Sequence, residues 1–287
     1  MVDQPLPAAF LPQGPRSSST SSFARHLQRI RRQHVPTSKR IVDQAFEELG
    51  FAGGRLSAEE VRADFNSLLR QVWQRTLEVL ERYEEPTYAD AAVAEVIRLH
   101  AEDLRKAREA MQADGDDAIA LEAALQSLFR AWYPELRTLF LSISQSRKSR
   151  GGKDWELQIG RLLRLMDVPY EPPDATYRVD FMIPSYEHYQ RNRNQCIVVS
   201  AKRTLRERWQ EVVDELHKMN CPNVYLATAE ERVSEDKKND IWRRNIYLVV
   251  WDEVKARDFA DDDSVVSYTQ LANQIIPHFA RYWTQGR

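Results

Sequence analysis

Apolar residues along the first half of the chain recur with helical spacing. From Ser38 the pattern begins with Ile41, Phe46 and Leu49, and Gly50, Gly53 and Gly54 break it. Ser57 reads as an N-cap, and Glu60, three residues later, completes a capping box. Phe65, Leu68, Leu69, Val72 and Trp73 follow on one helical stripe, which Pro86 is expected to end. Two more helices are expected near 88–112 and 116–131, separated by Ala113-Asp114-Gly115. Another is expected near 134–145, carrying Leu136, Leu139, Phe140 and Ile143. This half predicts a helical region of about 100 residues with no internal repeat.

The second half changes period. A helix with Trp155, Ile159, Leu162, Leu163 and Leu165 precedes a β-rich stretch. Strands are expected over Tyr177–Ile183, Cys196–Ala201, Asn223–Ala227 and Ile246–Val250. An amphipathic helix with Trp209, Val212, Val213, Leu216 and Met219 on one stripe separates the second and third. A last helix is expected near 267–284. Strands alternating with helices predict an α/β core, a mixed sheet covered by helices.

Composition narrows the class. The 287 residues carry 43 acidic and 41 basic side chains, a formal charge of −2, so a simple polycation coating nucleic acid is excluded. A 43% hydrophobic fraction with 10% aromatics suits a packed core. No apolar run approaches the roughly 18 residues of a membrane span. The N-terminal segment is rich in Pro and Ser and lacks a signal-peptide pattern; 1–35 is expected to be a flexible tail. Two cysteines, Cys196 and Cys221, support neither a disulfide framework nor a four-ligand zinc site, and a reducing cytoplasm is the expected location. Zinc-protease, P-loop and hydrolase-elbow motifs are absent. Cys196 reads as core packing, Glu230-Glu231 and Asp261–Asp263 as solvated loops, and Trp132, Trp242 and Trp251 as core.

Candidate chemistry collects between Tyr177 and Leu216. Asp180 sits between apolar Val179 and Phe181. In the next strand Cys196, Val198, Ser200 and Lys202 share a face, which puts Lys202 at the strand's C-terminal end. Glu215 follows thirteen residues later on the amphipathic helix. If the two strands pair, an Asp, a Lys and a Glu converge. Carboxylates hold a hard divalent cation through oxygen, and a lysine beside it orients water and neutralises developing charge on a phosphate.

Two basic clusters flank this set. Lys202, Arg203, Arg206 and Arg208 place four cations in seven positions. An arginine can contact guanine O6 and N7 together, and a carboxylate can accept from cytosine N4, so Arg206-Glu207 suits a G·C reader; a solvated basic turn is the plainer alternative. Gln145-Ser146-Arg147-Lys148-Ser149-Arg150-Gly151-Gly152-Lys153 has a composition suited to phosphate, and equally to a charged interhelical loop. Glu156 follows it.

Val179-Asp180, the run Val198-Val199-Ser200-Ala201-Lys202-Arg203-Thr204-Leu205-Arg206-Glu207-Arg208-Trp209, and Glu215 together resemble the type II restriction endonucleases of the EcoRII/PspGI group, within the PD-(D/E)XK nuclease superfamily. Gln145 and Glu156, eleven apart, fit the same pattern, and the resemblance covers about 140–250. It implies a mixed central sheet flanked by helices as a nuclease core over 134–287. A helical N-terminal region over 36–133 would serve dimerisation and DNA contacts. Asp180 and Glu215 would be the acidic active-site residues and magnesium ligands, Glu156 a supporting carboxylate, and Lys202 the catalytic lysine. Arg206 and Glu207 would read G·C pairs; Gln145, Arg147, Lys148, Arg203 and Arg208 would add base or backbone contacts.

The resemblance further implies a homodimer acting on double-stranded DNA, with a cognate methyltransferase in the same cell and no membrane partner. The site would be a CC(N)GG-type palindrome, with an extra outer pair as an option, cut ahead of CC to leave 5′ overhangs with the central pair flipped out. Trp73, Tyr83 and Tyr88 are candidates to stack on a flipped base by residue type, against the alternative of core packing. Two departures stand out. Val-Asp replaces Pro-Asp, and Ser200-Ala201-Lys202 lacks the usual acid before the lysine, so Glu215 or its rival Glu211, one turn earlier, would supply it. A structure-specific nuclease of the same superfamily and a catalytically silent DNA-binding regulator are the alternatives.

Overall fold

The computed structural model describes residues 18–51, 53–113, 117–172, 179–205 and 209–283. Helices come first: α1 (Ser18–His34), α2 (Ser38–Glu48), α3 (Ala58–Ala63) and α4 (Phe65–Glu85). A π-helical turn (Pro86–Ala92) leads to α5 (Val93–Leu99), α6 (Ala101–Ala113) and the 49-residue α7 (Asp117–Leu165). Then follow β1 (Phe181–Ile183), α8 (Tyr186–Arg191), β2 (Ile197–Lys202), α9 (Trp209–His217), β3 (Val224–Thr228), α10 (Glu235–Trp242) and β4 (Ile246–Val250). After these come α11 (Asp252–Asp258), β5 (Val265–Ser267), α12 (Tyr268–Gln270), a second π-helical turn (Leu271–Ile275) and α13 (Ile276–Trp283).

The chain divides into two compact units, Met1–Pro36 with Arg82–Ser146, and Thr37–Glu81 with Arg147–Arg287. In the first, α1 buries Phe23, Leu27 and Ile30 at i, i+4 and i+7, against Tyr88, Ala92, Val96 and Leu139. Residues 18–34 are therefore a packed helix where a tail is expected. Pro86 does not stop the helical path. It occupies the first turn of the π-helical segment, where a missing N–H is tolerated, and the Thr87 hydroxyl donates to the Tyr83 carbonyl at 2.7 Å. Nor do the expected helices 116–131, 134–145 and the one carrying Trp155 stay separate. α7 runs through Pro134 and through Gly151-Gly152, so the basic segment 145–153 is helical rather than a loop. Glycines cost a helix about 1 kcal/mol each. The burial of Trp155, Ile159, Leu162 and Leu163 just beyond them outweighs that.

The second unit holds the sheet. Its helices α2 and α3 start as the sequence predicts: Arg40 N–H donates to Thr37 Oγ1, and Ser57 and Glu60 close their capping box. Among the described residues the sheet has five strands in the order β1-β2-β3-β4-β5. β1 is antiparallel to β2, with Phe181 opposite Val199, and the remaining pairs are parallel. The parallel strands are buried on both faces and read as continuous apolar runs, as expected for a sheet covered by helices. β5, three residues long, and α8, α10 and α11 are not apparent in the periodicity. Below the sheet Trp155 packs edge-on against Trp73 and Trp251, and Trp251 contacts Tyr268. Trp251 is core as expected, whereas Trp242 is 41% exposed and only tilts against Tyr247. Cys196 is fully buried, and burial pushes its thiol up to about 12, which suits packing and not nucleophilic use.

Candidate active site

The antiparallel register of β1 and β2 sets the site. Phe181 faces Val199, so Asp180, immediately before β1, falls opposite Ser200, and its backbone N–H donates to Val199 O at 3.1 Å. The strand begins at Phe181, one residue later than its acid; residues 177–178 of the expected strand lie outside the described residues. Asp180 is 8% exposed. Its Oδ2 accepts from Ser200 Oγ at 3.0 Å, from Ala201 N at 2.6 Å and from Lys202 Nζ at 2.9 Å. Three donors on one oxygen, one of them charged, satisfy a carboxylate that burial alone would penalise. Ser200, quoted in the Ser200-Ala201-Lys202 motif but given no role there, is thus part of the arrangement. The period of two, which puts it on the face of Lys202, points to it.

Glu156 approaches from α7. Burial raises its pKa, the Asp180 carboxylate raises it further, and Lys153 and Lys202 oppose both; Lys153 Nζ lies 3.1 Å from Glu156 Oε2. Asp180, Glu156 and Lys202 therefore meet at the C-terminal end of β2. Two neighbouring carboxylates, one of them resisting ionisation, form an all-oxygen donor set suited to a hard divalent cation. Among the described residues no group of three or more His, Cys, Asp or Glu side chains forms a ready metal cage. Glu215 is half-buried in the last turn of α9. The side chain of its rival Glu211 lies outside the described residues.

The basic residues divide. Gln145, Arg147 and Lys148 are exposed on α7, with Arg147 3.5 Å from Glu81. Arg206, Glu207 and Arg208 lie outside the described residues. Arg203 is half-buried over Gly151, where a Cβ would fall 2.7 Å from its Cζ. The missing side chain of Gly151 is what admits the guanidinium. Beside it Asp154 is 7% exposed; burial raises its pKa, and a Ser38 hydrogen bond, Arg150 and Arg203 lower it. Trp73 packs against the core of its unit and Tyr88 is buried in the core of its own, which favours packing for both; Tyr83 is half-buried.

Two expected solvated loops are structural. Glu230 Oε1 accepts from Leu205 N at 2.7 Å, and Glu231 pairs with Arg70 at 2.8 Å. Asp262 pairs with Lys238 at 2.6 Å and accepts from Ser264. Burial would raise its pKa, but these partners hold it down at about 2. Their partners are distant in sequence, so local composition gives no sign of them.

A family profile described as the EcoRII C terminal matches residues 120–270, more than half of the chain. The type II restriction enzyme SsoII of Shigella sonnei is 29% identical over 167 residues, which is 54% of this chain and 54% of that protein. The chain thus matches about half the length of this curated relative. A solved structure of metal-depleted Ecl18kI in complex with uncleaved DNA covers 93% of this chain and 87% of its own, with a TM-score of 0.79 at 22% identity. A complex of restriction endonuclease PspGI with substrate DNA covers 87% of this chain and 95% of its own, with a TM-score of 0.56 at 18% identity. Both share the fold: the antiparallel β1 beside parallel β2–β4, flanked by helices, is the restriction-endonuclease-like core that the sequence resembles. The chain belongs to the EcoRII C-terminal family.

Proposed function

We propose that this protein is a magnesium-dependent type II restriction endonuclease that hydrolyses double-stranded DNA at a CC(N)GG-type palindrome. The observation that carries this is the meeting of Asp180, Glu156 and Lys202 at the end of β2, four residues before the Arg206-Glu207 pair. Asp180 would hold the cation with Glu156 supporting it, and Glu215 is the further ligand proposed from α9. Bound there, magnesium would supply a Lewis acid and a water of lowered pKa. Lys202 is held by Asp180 at 2.9 Å, which aims its ammonium at the charge that develops on the phosphate. Water oxygen attacks phosphorus, the bond to the 3′ oxygen breaks, and the proton that the water loses passes through solvent to the leaving 3′ oxygen, giving a 3′-hydroxyl and a 5′-phosphate.

Recognition falls to Arg206 and Glu207 on the G·C pairs, with Gln145 on a remaining pair and Arg147, Lys148, Arg203 and Arg208 toward phosphates. The cut lies ahead of CC and leaves 5′ overhangs. The central pair is flipped out, so that one scaffold treats an interrupted site as a shorter continuous one. The protein acts as a homodimer on the palindrome, and a cognate methyltransferase protects the host site. Among the described residues no helix is long and apolar enough to cross a membrane.

Digestion of a plasmid of known sequence tests the reading. Discrete bands that require magnesium, with ends mapping ahead of CC, are expected. A smear, or ends set by DNA structure instead of sequence, overturns it. 2-Aminopurine at the central position should brighten on binding if that base leaves the stack.

A further inference from the structure

We infer that Glu230 and Lys237 form a clamp on the Leu205 peptide that fixes the backbone immediately preceding Arg206-Glu207 in the chain. They are positioning residues for sequence recognition, and the inference rests on the function proposed above. Leu205 N–H donates to Glu230 Oε1 at 2.7 Å, and Lys237 Nζ donates to Leu205 O at 2.7 Å. Both polar groups of one peptide residue are therefore held by charged side chains, and Lys237 Nζ lies 3.8 Å from Glu230 Oε2. The Leu205 side chain is itself fully buried. Two residues earlier, Arg203 O accepts from Ala229 N at 3.3 Å and from Thr228 Oγ1 at 3.4 Å. The backbone from 203 to 205 is tied down at both ends.

The segment that holds it is locked in turn. Tyr268 OH donates to Thr228 O at 3.0 Å, Trp251 Nε1 to Ala229 O at 3.1 Å, and Glu230 N to Thr228 Oγ1 at 3.3 Å. Trp251 and Tyr268 are fully buried. A hydrogen-bonded path thus runs from the aromatic core, through residues 228–230, to the peptide next to the arginine–glutamate pair. Placing a base-reading side chain on a rigid support is what makes bidentate contact discriminating, since a displacement of about 1 Å loses it. Neither clamp residue is among the donors to Asp180, so discrimination between sequences is the readout of its loss.

The test compares wild type with Glu230→Ala, Glu230→Gln and Lys237→Met. Each is assayed for cleavage of a cognate duplex, cleavage of duplexes with one G·C pair exchanged, and thermal midpoint. Glu230→Ala and Lys237→Met should lower cognate kcat/KM by about tenfold, the worth of one such hydrogen bond, and narrow discrimination between the duplexes. Glu230→Gln keeps an acceptor and should restore both. Lys237 is partly exposed, so its variant keeps the test open if Glu230→Ala does not fold. Wild-type discrimination in both disruptive variants overturns the clamp. So does an equal loss on every duplex together with a lowered midpoint, the mark of a merely structural role. A wild-type protein that cuts DNA without sequence preference overturns the underlying reading, and the clamp with it. Cognate cutting in wild type alongside unchanged variants overturns the clamp alone.

Discussion

Glu156 is held against its own ionisation: burial and the Asp180 charge both favour its protonated form. Because its folded pKa lies above the unfolded value of about 4.3, the folded state keeps this proton longer. Its contribution to stability is full below that value and is lost as pH rises through the raised folded one. Glu156→Gln should therefore melt in EDTA at or above the wild-type temperature near neutral pH. It should also lose less stability as pH rises above the unfolded carboxylate value. Added magnesium should raise the wild-type midpoint more than the variant's, while cleavage by the variant falls. A steeper pH slope in the variant contradicts the assignment. Lys202→Ala removes the cation on Asp180 and should abolish cutting while site-specific binding, read by fluorescence anisotropy, persists. Arg206→Ala should do the reverse and weaken specific binding by about 1–3 kcal/mol, the worth of a bidentate guanine contact. Specific binding by Arg206→Ala at wild-type strength removes that residue from recognition.

α7 shows how one element answers different demands along its length. Gly160 lies against Tyr170 and Phe181, where a Cβ would fall 2.6 Å from the Tyr170 hydroxyl and 3.2 Å from the Phe181 ring. Phe181 is buried in β1, next to Asp180, and has little room to give. Gly160→Ala should destabilise the protein by about 1–3 kcal/mol through overpacking, despite the better helix propensity. Gly151→Ala meets only the mobile end of Arg203. Its midpoint should hold or rise, and DNA affinity should drop as the guanidinium is displaced. Calorimetry and a binding titration separate the two; a raised midpoint in Gly160→Ala contradicts the packing argument. α7 also marks where sequence reading stops. The strands β2, β3 and β4 are long apolar runs and were legible within a residue, as were the capping box and the Asp180–Lys202 pair that strand register brings together. The continuity of α7 was not, because Pro134 and Gly151-Gly152 are local breakers that only tertiary burial overrides. The roles of Glu230 and Asp262 were hidden for the related reason that their partners lie far away in the chain.

For the molecule as a whole, the proposed dimer needs a surface, and the unit containing α7's first half supplies one. Phe129, Tyr133 and Phe140 are 60%, 63% and 66% exposed, and Ile119, Leu121 and Leu125 extend the same side of the helix. Large apolar side chains left in solvent along one helix are what a docking surface presents. A two-fold axis near Phe129 would set two copies of this helix antiparallel and bring Glu122 of one against Arg137 of the other. Fifteen residues apart on one helix, these charges are too distant to pair within a copy. Phe129→Glu should therefore sediment as a monomer and nick plasmid slowly, since each copy carries a single catalytic set. Glu122→Arg alone should weaken the dimer, and Glu122→Arg with Arg137→Glu should restore it, as only a partner in this antiparallel register allows. A Phe129→Glu protein that remains dimeric at micromolar concentration moves the interface elsewhere. A charge swap that fails to rescue keeps the surface but rejects the register.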